Sequence, residues 1–245
     1  MALRLVQVNV KAVDDAAVGR FWGEALGWVV RSAGGATSVA PAGFDWTDPH
    51  APVCVDVIAV PSVAPGKNRV HIDLATTSAA HQAELIARLT GLGATPADVG
   101  QVGVPWTVLA DPEGTVFCVL EPREIYRDTG PIAAVVVDCA DPPSMARFWS
   151  EALGWTVHGA GEEQAWLRSP KGTGPYLEFI RTPDRKTTWD RVHLDVVPYA
   201  GTDQATEVAR LRSLGATPAD VGQDDVPWIV LADPEGNEFC VLAPA

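Results

Sequence analysis

Two short stretches hold the residues best equipped for chemistry, Arg69–Leu74 (RVHIDL) and Arg191–Val196 (RVHLDV). In each, a histidine and an aspartate stand two residues apart. On an extended chain that spacing points both side chains to one face. The carboxylate can then fix the imidazole tautomer and orient the ring as a metal ligand or proton carrier. A histidine flanked by Val and Ile or Leu serves as readily as a hydrogen-bonded structural residue, and both readings stay open. Glu178, between Leu177 and Phe179, points away from those two, toward a cleft or toward water. Of nine tryptophans, Trp22, Trp28, Trp149 and Trp155 fall at helix-end spacings that pack a helix on a sheet. Trp46, Trp106, Trp189 and Trp228 are the candidates to stack on a planar ligand. Cys54, Cys118, Cys139 and Cys240 show no C-x-x-C spacing and lie in apolar runs, so they read as reduced core residues. No G-x-S-x-G, Walker loop, dinucleotide fingerprint or H-E-x-x-H is present.

The elements that must position these residues recur. The run VPWTVLADPEGTVFCVL (Val104–Leu120) returns as VPWIVLADPEGNEFCVL (Val226–Leu242). Each is two β-rich runs joined at Asp-Pro-Glu-Gly, a turn in which Pro presets φ and Gly accepts positive φ, so each reads as a hairpin. FWGEALGW (Phe21–Trp28) returns as FWSEALGW (Phe148–Trp155), and LGATPADVGQ (Leu92–Gln101) returns unchanged at Leu214–Gln223. Four apolar-periodic helices end in Leu-Gly, at Gly27, Gly93, Gly154 and Gly215. Asp14 or Asp15, Thr77 or Ser78, and Asp141 are expected to cap the first three, and the fourth to run from about Thr202 to Leu214. The pattern predicts four strand–helix–strand–strand–strand modules. Gly43–Pro52 is an expected loop, Ala94–Val99 a weak strand, and Glu121–Gly130 breaks the pattern. The chain therefore divides into 1–121, a linker at 122–130, and 131–245.

Composition bounds the partners. The formal charge of −13 argues against nucleic acid and anionic membrane, whose binding needs a basic surface. The N-terminal sequence carries no export pattern and no run of 18 apolar residues occurs, so a cytoplasmic chain is expected. A homodimer is left open.

The F-W-x-E-A-L-G-W helix ends, the strand-borne V-H-(I/L)-D and the D-P-E-G hairpins resemble the glyoxalase/bleomycin-resistance/dioxygenase family, the vicinal oxygen chelate superfamily. The resemblance covers nearly the whole chain outside the linker. It implies an α+β fold of four βαβββ modules, paired into two glyoxalase-like domains with curled mixed sheets and helices outside. It also implies a small-molecule cleft, in many relatives holding a divalent metal. Carried over residue by residue, the metal positions are Gln7, Asp56, His71 and Cys118 in the first half. In the second they are Ala134, Glu178, His193 and Cys240. Cysteine stands where metal-binding relatives carry glutamate, and Ala134 cannot ligate. No metal or other cofactor is therefore assigned, with Zn, Ni, Mn or Fe as the ions to test. The expected ligand-binding set is Gln7, Trp46, Asp56, His71, Trp106, Cys118, Glu178, Trp189, His193, Trp228 and Cys240. The first functional reading is a protein that binds a small, planar or hydrophobic molecule in a sheet-lined cleft. The alternative is a divalent-metal-dependent lyase, isomerase or dioxygenase with its site in one domain. A tandem domain serving a partner protein comes third, with only the acidity to favour it.

Overall fold

A computed structural model describes residues 3–48, 50–63, 68–223 and 226–244. Pro49, within the expected loop Gly43–Pro52, lies outside them. Module one runs β1 (Leu3–Ala12), α1 (Asp15–Leu26), β2 (Val29–Ala33), β3 (Ala36–Ala40), β4 (Cys54–Ala59). Module two runs β5 (Val70–Leu74), α2 (Ala79–Gly91), β6 (Thr95–Pro96), β7 (Thr107–Ala110), β8 (Val116–Val119). Module three runs β9 (Ile132–Cys139), α3 (Pro142–Leu153), β10 (Thr156–Ala160), β11 (Gln164–Arg168), β12 (Tyr176–Arg181). Module four runs β13 (Val192–Pro198), α4 (Gln204–Ser213), β14 (Thr217–Pro218), β15 (Ile229–Ala232), β16 (Glu238–Val241). The four βαβββ modules and the α+β class agree with the sequence pattern. Among the described residues no helix is long and apolar enough to cross a membrane.

Local chemistry sets the helix ends. Asp14, Ser78 and Asp141 cap α1, α2 and α3 by accepting the amides of Ala17, His81 and Ser144. α4 starts later than expected because Asp203, not Thr202, accepts the amide of Thr206. Gly27 and Gly154 close α1 and α3 in the left-handed region, at φ 68° and 66°. The expected strand at Ala94–Val99 shrinks to β6, whose Pro96 has no N–H to extend a ladder.

The sheets cross the halves of the chain. One eight-stranded sheet has the order β14-β15-β16-β13-β1-β4-β3-β2, the other β10-β11-β12-β9-β5-β8-β7-β6. Module one thus pairs with module four, through antiparallel β1 and β13, and module two with module three, through antiparallel β5 and β9. The ligand sets carried over within each half are divided accordingly. Gln7 and Asp56 belong to the sheet of His193 and Cys240, whereas Ala134 and Glu178 belong to the sheet of His71 and Cys118.

Helix packing ties the modules the other way. Trp22 of α1 meets Phe117 of β8 edge-on at 5.2 Å, and Trp149 of α3 meets Phe239 of β16 at 5.1 Å. Such pairs contribute roughly 0.5–1.5 kcal/mol beyond the area they bury. Both tryptophans are fully buried, in one core shared by all four modules.

The hairpin turns add a second tie. Glu113 of the first Asp-Pro-Glu-Gly accepts the amides of Val13 (2.8 Å) and Asp14 (2.7 Å), ahead of α1, and meets Arg191 at 3.4 Å. Glu235 of the second turn accepts the amides of Ala140 and Asp141, ahead of α3, and meets Arg69 at 3.3 Å. Each carboxylate therefore joins three modules.

Candidate functional site

Strand alternation puts the helix-facing residues of β1 into the core and leaves Gln7, Asn9 and Lys11 on the opposite face. Across the first sheet on that face, cross-strand register aligns Cys54, Gln7, Asp195 and Cys240 in one row. The next row is Ser38, Asp56, Asn9 and His193. The corresponding rows of the second sheet read Tyr176, Ala134, Asp73, Cys118 and Trp166, Glu178, Val136, His71. Asp, Cys and His recur at matched places. Gln7, Asn9, Cys54 and Ser38 are replaced by Ala134, Val136, Tyr176 and Trp166. One face is polar and the other largely apolar.

In the first sheet, the Gln7 amide donates to Asp195 Oδ2 at 2.8 Å, and Asn9 approaches the same oxygen at 3.5 Å. His193 Nε2 stands 3.3 Å from Asp195 Oδ1, as the two-residue spacing predicts. Gln7 Oε1, Asn9 Oδ1 and Asp56 Oδ1 are buried with no donor among the described residues. Burial pushes the Asp56 carboxyl up to about 6, with the Asp195 charge adding to it and bonds from Ser38 and Gln7 opposing it. At the border, Lys186 binds Glu238 at 2.5 Å and Lys11 donates to the Asp190 carbonyl at 3.0 Å. Trp228, just before β15, donates its indole N–H to Gln223 at 2.9 Å. Arg4 donates to the carbonyls of Trp46 (2.7 Å) and Asp48 (2.8 Å), holding that loop to β1, and the Trp46 ring lies edge-on to Phe44. Trp189, half exposed, precedes β13.

The second sheet brings His71, Asp73, Cys118, Glu178 and Trp106 together, and the linker sits on them. Its 3-10 turn, Glu124–Tyr126, buries Tyr126 in an apolar cluster with Ala134, Val136, Cys118 and Tyr176. The Tyr126 hydroxyl donates to Glu178 Oε1 at 2.7 Å, and its ring lies edge-on to Tyr176 at 5.8 Å. Arg123 lies over Trp106 at 5.6 Å. Burial raises Glu178 from 4.5 to about 7, with the Asp73 charge adding to it against the Tyr126 bond. Because the folded value lies above the unfolded one, ionised Glu178 opposes folding. That cost is absent below pH 4.5, grows as pH rises, and levels off above pH 7 at about 3 kcal/mol. Glu178→Gln, which keeps an acceptor for Tyr126, is expected to stabilise the protein by up to that amount at pH 8 and by nothing at pH 4. Urea unfolding at both pH values measures the difference, and equal gains at the two would show the carboxylate to be unstrained.

The donor atoms of His193, Asp195 and Cys240 lie within 4.8 Å of one another, as do those of His71, Asp73 and Cys118. An imidazole nitrogen, a carboxylate oxygen and a sulfur together suit zinc. Burial and the Asp195 charge hold Cys240 as a thiol, so its proton must leave as an ion enters. Gln7 adds an unpartnered oxygen beside the first trio, where the second has Ala134. The first sheet is the better fit.

The sequence model of the glyoxalase-like domain matches twice, over residues 7–120 and 134–242. The chain belongs to the glyoxalase-like family. No curated protein sequence matches this glyoxalase-like chain. Among solved structures it is similar to glyoxalase I from Zea mays, with 15% identity, a TM-score of 0.64, and coverage of 99% of this chain and 93% of that one. A candidate dioxygenase from Bacillus subtilis aligns with a TM-score of 0.67 at 13% identity, over 100% of this chain and 86% of that one. At such identities the likeness is one of fold.

Sequence reading missed Asn9, whose two-residue spacing from Gln7 was the available signal. It also missed Tyr126, placed in a linker, and Glu113 and Glu235, read only as turn residues.

Proposed function

We propose that this glyoxalase-like chain binds one small, flat molecule per chain, on the polar face of the first sheet. The observation that carries the reading is the difference between the two faces. Positions held by Gln7, Asn9, Cys54 and Ser38 in one are Ala134, Val136, Tyr176 and Trp166 in the other, which is further covered by Tyr126. Buried acceptors without donors at Gln7, Asn9 and Asp56 favour a ligand that brings hydrogen-bond donors. Trp228 at the border suits stacking. The test is titration of tryptophan fluorescence with planar aromatic compounds, comparing the wild type with Gln7→Ala and Asn9→Val. The substituted residues are those the second sheet already carries at these places. One binding event per chain is expected, weakened at least tenfold in both variants. Undiminished binding in both would remove the first sheet from the reading.

The trio His193, Asp195 and Cys240 favours a second reading, a metal-dependent enzyme at the same face. A zinc-type ion there would polarise vicinal oxygens of a substrate. His193 and Asp195 would then orient one another, and Asp56, two strands away across Asn9 of β1, would be a group able to exchange a proton near neutral pH. Metal analysis of protein purified without chelator separates the readings. One ion per chain, lost in His193→Ala, would replace the metal-free reading; none at neutral pH would remove the enzyme.

A further inference from the structure

A cavity of about 640 Å³ lies outside both sheet faces, between the end of α1, the start and middle of α2, and the linker. That volume suits a small organic ligand. Its floor includes Leu26, Leu74 and Leu85, its wall includes Tyr126, and Arg88 and Arg127 reach it.

The internal repeat shows what this place holds elsewhere. Arg69–Leu74 and Leu92–Gln101 return at Arg191–Val196 and Leu214–Gln223 with the same spacing, so α2 and α4 align without a gap. Gln82 and Gln204 confirm the match: each donates to paired hairpin carbonyls, Pro105 and Val119 or Pro227 and Val241. On this alignment Arg88 corresponds to Arg210, and Leu85 to Glu207. Arg210 donates to the carbonyls of Glu151 and Ala152 at the end of α3, and its guanidinium also holds the buried Glu207 carboxylate at 2.6 Å. Arg88 keeps the equivalent bond to the Glu24 carbonyl at the end of α1. Where its carboxylate would stand, it has Leu85 and the cavity. A guanidinium has five N–H donors in a fork that fits a carboxylate. The linker supplies a wall here, through Pro122, Tyr126 and Gly130.

We propose that this cavity is a binding site for an amphipathic carboxylate, an aryl or short alkyl acid. Its head group takes the place on Arg88 that Glu207 takes on Arg210. The apolar body lies on Leu85 and Leu26 against Tyr126. Arg127 also lines the cavity, its guanidinium held to Glu124 by an exposed i,i+3 pair that water weakens. The site is independent of the polar face of the first sheet.

The probe is 4-phenylbutyrate, titrated calorimetrically, with the uncharged 4-phenylbutan-1-ol as its control. Expected are one acid bound per chain and at least tenfold weaker binding of the alcohol. Leu85→Glu supplies the carboxylate that the second half already carries, so it should fold normally and lose the acid at least tenfold. Arg88→Gln should lose it equally, with thermal unfolding confirming the fold of both. Asn9→Val, on the first sheet, should leave acid binding unchanged. The proposal is overturned if the acid does not bind the wild type, if the alcohol binds as well, or if folded Leu85→Glu protein retains full affinity. Loss of the acid in Asn9→Val would place it on the sheet and overturn the proposal too.

Discussion

Replacing Tyr126 by alanine should cost about 3–5 kcal/mol of stability, the range for removing a large buried aromatic side chain. Tyr126 is 6% exposed, packs on Tyr176, and gives its hydroxyl to Glu178. Alanine leaves a cavity between the linker and the second sheet and strips a buried carboxylate of its donor. Tyr126→Phe separates the two losses. It keeps the ring and removes only the hydroxyl, at an expected cost of about 1–3 kcal/mol. That cost should be larger at pH 8 than at pH 4, because the ionised carboxylate is the form that needs a donor. Chemical denaturation of both variants measures these values. A loss under 1 kcal/mol for Tyr126→Ala would mean that the linker rests on the sheet without holding it.

The second large effect is expected at the hairpin turns. Glu235→Ala should destabilise by about 1.5–3 kcal/mol, the range for hydrogen bonds to a charged group, since Glu235 is itself only partly buried. The Ala140 and Asp141 amides lose their acceptor, and the buried Arg69 loses its carboxylate. Arg69 also donates to the carbonyls of Asp138 and Asp184, so it stays buried after the glutamate is gone. A double-mutant cycle with Arg69→Ala should therefore show coupling of at least 1 kcal/mol. Simple additivity would reduce the turn to a local cap. Glu113 with Arg191 repeats the arrangement and should behave alike.

Much of this fold is legible in the amino-acid sequence because its elements are signalled locally. Asp14, Ser78 and Asp141 mark helix starts, the Leu-Gly pairs mark their ends, and the Asp-Pro-Glu-Gly turns mark the hairpins. The repeats multiply each signal. Module pairing is not legible in the same way. β1 and β5 are both first strands with one edge for an antiparallel partner, and nothing local distinguishes β9 from β13 as that partner. The within-half ligand sets are divided for this reason: His71 stays with Cys118 and His193 with Cys240, but Gln7 and Asp56 share the face of the latter pair. Tyr126 escaped notice because a charged, Pro- and Gly-bearing segment reads as solvent-exposed, and its burial depends on Tyr176 and Glu178, far along the chain. Glu113 and Glu235 escaped because the turn explains Pro and Gly while leaving the glutamate's partners on another module.

The crossed pairing of the sheets has a consequence for how the chain is made. On a growing chain, the second sheet can gather its strands once residue 181 has emerged, since its members run from β5 to β12. The first sheet holds the first and the last strands, so it cannot close before residue 241. Contacts this distant in sequence form slowly, and an exposed strand edge invites wrong partners meanwhile. The sheet with the polar rows is thus completed after the other, and β1, which ends at Ala12, must wait for β13, which starts at Val192.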